Sequence, residues 1–86
     1  MDLRDERGDN MDDNLFYKNV GTYLKELREK KNYSLADVTS RLGIARVTLM
    51  RYEEGDRKPP LGTLKDLCGI YGITMNDLFD KFQEYL

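Results

Sequence analysis

The sequence predicts an all-α chain folded as a compact five-helix bundle, and three observations carry that prediction. Apolar residues recur at three- and four-residue intervals in five separate stretches, the period of one face of a helix. No stretch alternates apolar and polar residues with the period of two that a half-buried strand requires. Two segments, residues 34–37 and 74–77, place a hydroxyl three residues before an aspartate, the spacing of a capping box that opens a helix.

Taken in order, residues 1–13, MDLRDERGDNMDD, are rich in charge and lack a sustained apolar period, so they are expected to form a disordered acidic tail ahead of a folded unit at 14–86. In the first helix Phe16, Val20, Tyr23, Leu24 and Leu27 share one face. Asp13 or Asn14 caps its start, and Asn32, tolerant of the left-handed conformation, ends it. Gly21 lowers helix propensity there by roughly 1 kcal/mol relative to alanine, which marks a close approach of another helix.

Ser34 and Asp37 then open a second helix with Leu35, Val38 and Leu42 on its inner side, and Gly43 supplies a sharp stop. A third helix runs from about Arg46 to Glu54 and ends at Gly55, with Ile44, Leu49 and Tyr52 directed at the same core. Two prolines in Asp56-Arg57-Lys58-Pro59-Pro60 prevent its extension. Leu61, Leu64, Leu67, Cys68 and Tyr71 are spaced for a fourth helix stopped by Gly72. Thr74 opens a fifth, with Met75, Leu78, Phe79, Phe82, Tyr85 and Leu86 on one side.

Eighty-six residues make one small domain. One cysteine and no histidine exclude an internal disulfide and a Cys/His zinc site, so no metal and no cofactor are expected; Cys68 reads as a small buried filler. No apolar run reaches membrane-spanning length and the N-terminus is not a basic leader, which points to a cytoplasmic protein with no membrane partner. An enzyme is not expected: there is no histidine, no paired carboxylates with an evident pocket, no phosphate-cradling glycine motif, and little chain to enclose a substrate.

The net charge of −2 conceals a segregation. Residues 1–14 carry six acidic groups against two basic, and residues 66–86 four against one. Residues 18–65 carry eleven basic groups against six acidic. Local charge, not the total, attracts phosphates. In that basic segment, residues 34–55 form two short helices joined by a tight turn at Gly43, which leaves the far face of the second one free. That face carries Arg46, Val47, Met50, Arg51 and Glu54, and a helix presented in this way can enter a groove of DNA.

Across roughly residues 18–79, without a gap, the chain resembles the lambda-repressor-like helix-turn-helix family, the Cro/CI or Xre type. The matching positions include Leu24, Leu27, Arg28, Ser34, Leu42, Gly43, Ile44, Arg46, Thr48, Leu49, Arg51, Tyr52, Glu53, Gly55, Arg57, Pro59, Leu61, Leu64, Leu67, Gly72, Asp77 and Leu78. The resemblance implies a five-helix domain that binds operator DNA as a homodimer, and hence a sequence-specific transcriptional regulator of prokaryotic or phage type, a repressor by expectation. It places the helix at about 46–54 in the major groove, with base contacts from Arg46, Val47, Met50 and Arg51. Arginine can bond guanine O6 and N7 together, and Val47 and Met50 can touch thymine methyls. Alternatively, Arg51 pairs with Glu54 or with a neighbouring acidic side chain on the surface.

Backbone contacts are expected from the free amides at Leu35 and Ala36 and from Arg57 and Lys58, with Thr48 bonding either a phosphate or its own helix. The sequence departs from the family at two positions: Leu35 stands where glutamine commonly follows the capping serine, and Ala45 replaces the serine or threonine cap of the third helix. Phe82, Tyr85 and Leu86 either form a homodimer contact or fold back on Phe16 and Val20. A protein-interaction module on the same fold, such as an antitoxin or anti-repressor partner, is the alternative function.

Overall fold

A computed structural model describes the backbone of residues 3–85 and the side chains of residues 14–85. Five helices follow one another: α1 (Leu3–Lys30), α2 (Leu35–Leu42), α3 (Arg46–Glu54), α4 (Leu61–Tyr71) and α5 (Met75–Lys81), then a single 3-10 turn at Gln83–Tyr85. No strand occurs among the described residues, so the fold is the all-α bundle that the apolar spacing demands.

The sequence places the start of the first helix at residue 13 or 14, whereas the helical backbone runs back to Leu3. Nucleating a helix is costly but extending it is not, and no proline interrupts residues 3–14. The side chains of residues 1–13 lie outside the described residues. Downstream, Asn32 takes the left-handed conformation at φ 60°, as its position after the last turn requires.

Both capping boxes form. Ser34 Oγ accepts from the Asp37 amide at 3.0 Å while Asp37 Oδ2 accepts from the Ser34 amide at 2.8 Å. Thr74 and Asp77 do the same at 3.0 and 2.9 Å. Gly43, at φ 68°, ends α2 and donates its amide to Thr39 O at 2.8 Å. A side chain at this φ would be strained, so the tight turn between α2 and α3 depends on glycine.

Val20 and Leu24 of α1, Val38 of α2, Leu49 and Tyr52 of α3, Leu64, Leu67, Cys68 and Tyr71 of α4, and Leu78 of α5 build one buried core. Leu35, Leu42 and Ile44 pack at its margin. Leu61 departs from the expected stripe: it is 71% exposed, being the first residue of α4 and so beyond the end of the core. Phe79 is also 42% exposed.

The C-terminal stripe is resolved in favour of the intramolecular alternative. Phe82 is buried, and its ring meets Phe16 edge-on at 5.9 Å and Tyr23 at 5.7 Å. Tyr85 meets Phe16 at 5.8 Å and accepts a hydrogen bond from Asn19 Nδ2 at 2.7 Å. Phe82 is therefore buried and Tyr85 half-buried within the chain, against Phe16 as the second of the two alternatives has it. Leu86 lies outside the described residues.

Candidate nucleic-acid interface

The position of α3 is set from behind. Leu49 and Tyr52 anchor it in the core, and α1 crosses its last turn closely enough that only glycine fits at residue 21. A Cβ there would collide with Tyr52 O and stand 2.6 Å from Glu53 O. Gly55, the left-handed cap of α3 at φ 79°, faces the Lys18 backbone, and a Cβ there would come within 2.6 Å of Lys18 Cα.

A buried ion pair locks this crossing. Arg28 Nε donates to Glu53 Oε2 at 2.7 Å and Nη2 donates to Oε1 at 3.1 Å, while Nη1 donates to Tyr33 O at 2.9 Å. The fork geometry satisfies both carboxylate oxygens, and this hydrogen bonding raises the Arg28 pKa above its ordinary value. Sequence inspection counted both residues as charges and missed their pairing. A signal was present: Glu53 follows Leu49 by four and Tyr52 by one, which places a carboxylate on the buried face of α3, where it needs a partner. Nearby, burial and then the charge of Glu53 push the Tyr71 hydroxyl pKa upward.

With its inner face fixed, α3 turns Arg46, Val47, Met50, Arg51 and Glu54 to solvent, the face expected to be free. Among the described residues neither Arg46 nor Arg51 has a carboxylate within 4 Å, so the surface pairing of Arg51 with Glu54 does not form. Ala45 has the extended backbone of a cap residue, φ −76° and ψ 151°, but supplies no side-chain hydrogen bond. The first turn of α3 thus keeps amides without an intrahelical acceptor.

At the start of α2 the capping box uses the amides of Ser34 and Asp37. Those of Leu35 and Ala36, the two expected at a phosphate, have no acceptor within the helix. The Asp37 carboxyl, held below its ordinary pKa by the Ser34 amide, adds negative charge beside them. Arg57 and Lys58 are exposed after α3, the Lys58 ammonium lying 5.3 Å from the centre of the Tyr17 ring. Thr48 is half-buried; Thr22 and Ser40 donate to carbonyls of their own helices, and no such bond forms from Thr48 among the described residues.

A groove of about 340 Å³ separates α1 from α2 and α3, with Thr22 and Lys25 on one wall and Leu35, Met50 and Glu54 on the other. Among the described residues no group of three or more Cys, Asp or Glu is gathered so as to hold a metal ion, and no helix is long and apolar enough to cross a membrane.

The geometry agrees with what comparison to known proteins gives. The helix-turn-helix family model matches residues 24–78, which contain α2 and α3 and the elements that brace them. The chain is 41% identical over 58 residues to the HTH-type transcriptional regulator AnsR of Bacillus subtilis, covering 67% of this chain and 50% of that protein. It is 36% identical over 62 residues to the HTH-type transcriptional regulator DdrOP3 of Deinococcus deserti, 72% of this chain and 48% of that one. Over 62 residues it is 32% identical to the HTH-type transcriptional regulator ImmR of Bacillus subtilis, 72% of this chain and 49% of that one. The chain spans about half the length of these curated relatives. No solved structure gives a significant match. A five-helix core with a braced and outward-facing third helix, found in a sequence matched over most of its length, makes this chain a member of the Cro/CI-type helix-turn-helix family of DNA-binding transcriptional regulators.

Proposed function

We propose that the chain is a sequence-specific repressor of prokaryotic or phage type that places α3 in the major groove of a two-fold operator, binding as a homodimer in the cytoplasm beside the DNA it controls. Residues 14–86 are the DNA-binding unit, and residues 1–13 an acidic extension of it. The observation that supports this most directly is the outward face of α3, where Arg46 and Arg51 stand exposed and unpaired among the described residues while Arg28 and Glu53 hold the helix rigidly from inside. Arg46 and Arg51 bond guanines, Val47 and Met50 lie against base edges, and the amides of Leu35 and Ala36 with Thr48, Arg57 and Lys58 hold the phosphates.

Gel-shift titration against genomic fragments tests this. Arg46→Ala and Arg51→Ala should each weaken the selected site by about five- to 150-fold, the equivalent of roughly 1–3 kcal/mol for a bidentate guanine contact, with circular dichroism unchanged. Wild-type binding should weaken steeply with added salt as condensed counterions are no longer released at a gain. Full affinity in both variants would show that another surface meets the DNA. Copurification of a protein partner by a chain without DNA affinity would overturn the proposal in favour of an interaction module.

A further inference from the structure

We propose that Tyr17 is a positioning residue for DNA binding: its ring holds the Lys58 ammonium where a backbone phosphate meets it. The inference rests on the DNA-binding function proposed above and adds to it a residue that acts through another. The loop after α3 is fixed before its side chains are considered. The amides of Asp56 and Arg57 donate to Arg51 O at 3.0 and 3.3 Å, and Pro59 is buried. Gly55 lies against the Lys18 backbone, so the loop begins in contact with α1 next to Tyr17. What such a backbone leaves undetermined is the flexible stem of a lysine.

Lys58 is exposed, and its ammonium stands 5.3 Å from the centre of the Tyr17 ring, within cation–π range. Of the cation–π contacts among the described residues, this is the one whose cation lies in the loop that follows α3. Arg57, also exposed, has no such ring beside it among those residues. Tyr17 is half-buried and is itself held: Phe16 meets it edge-on at 5.0 Å and rests in turn on Phe82 at 5.9 Å and Tyr85 at 5.8 Å. A chain of aromatic contacts therefore runs from the end of α5 to this loop. A ring face takes up one side of an ammonium and leaves donors on the other side for a phosphate. A carboxylate would instead neutralise the charge that the phosphate needs. Tyr17 thus reduces the conformational freedom that Lys58 loses on binding, without reducing its charge.

The test is a double-variant cycle read by fluorescence anisotropy, on an operator selected from a random DNA pool with the purified chain. Lys58→Ala should reduce the slope of log affinity against log salt by about one per bound chain, the share of one phosphate. Tyr17→Leu should weaken binding about two- to fivefold per bound chain, the range of an exposed cation–π contact. Tyr17→Phe, which keeps the ring, should bind as the wild type does. In a Lys58→Ala background Tyr17→Leu should cost nothing further, whereas a role of Tyr17 in folding alone would carry its loss into that background. An unchanged salt slope in Lys58→Ala, wild-type affinity in Tyr17→Leu, or a Tyr17→Leu loss that persists without Lys58 overturns the assignment. An equal loss in Tyr17→Phe and Tyr17→Leu also overturns it, by showing that the hydroxyl meets the phosphate directly. Absence of sequence-specific binding by the wild type instead removes the function on which it rests.

Discussion

Arg28 illustrates how a charge inside a small protein is tolerated only with its complement. Removing one member of a buried pair leaves the other desolvated and unpaired, at a cost of about 3–5 kcal/mol, whereas replacing both with apolar groups is often neutral or better. Arg28→Met should therefore destabilise the chain by about that amount in urea unfolding, and the double variant Arg28→Met/Glu53→Leu should recover most of the loss. The pairing was not legible in the sequence, because spacing along one helix shows that Glu53 is buried but not which residue of another helix faces it. Exposure was legible: Val47, Met50 and Arg51 fall away from Leu49 and Tyr52 by period, Arg46 opens the helix, and the structure leaves all four in solvent.

At the scale of elements, the crossing of α1 over the end of α3 is the most sensitive joint. Gly21→Ala would gain roughly 1 kcal/mol of helix propensity, yet its Cβ would meet the backbone carbonyls of Tyr52 and Glu53, which cannot swing aside as a side chain could. A net loss of about 1–3 kcal/mol is expected, as for other overpacked sites, and a urea midpoint at or above wild type would show that the two helices slide apart at little cost. The opposite change is available at Ala45, whose backbone already has cap geometry. Ala45→Ser should stabilise by about 1 kcal/mol, read as a rise in melting temperature. The capping boxes of α2 and α5 and the glycine stops were readable because each depends on nearby residues, whereas the start of α1 and the exposure of Leu61 and Phe79 were not. The end of α5 was not, since Phe82 and Tyr85 continue the period of three and four while their partners Phe16, Tyr23 and Asn19 lie at the far end of the chain.

For the molecule as a whole, occupation of Phe82 and Tyr85 inside the bundle moves the question of self-association elsewhere. Exposed Leu61 of α4 and Phe79 of α5, with half-buried Met75, line a shallow apolar recess. If the proposed homodimer uses it, Phe79→Ser should shift sedimentation at micromolar concentration from dimer to monomer without lowering helicity. A strictly monomeric wild type, with and without operator, would remove the dimer. The same bundle ties its extremities together: the hydrogen bond between Asn19 and Tyr85 spans 66 positions, while the corner between α2 and α3 is closed by neighbours. Entropy of loop closure grows with the length enclosed, so the last turn should dock late during refolding, after the central corner has already condensed.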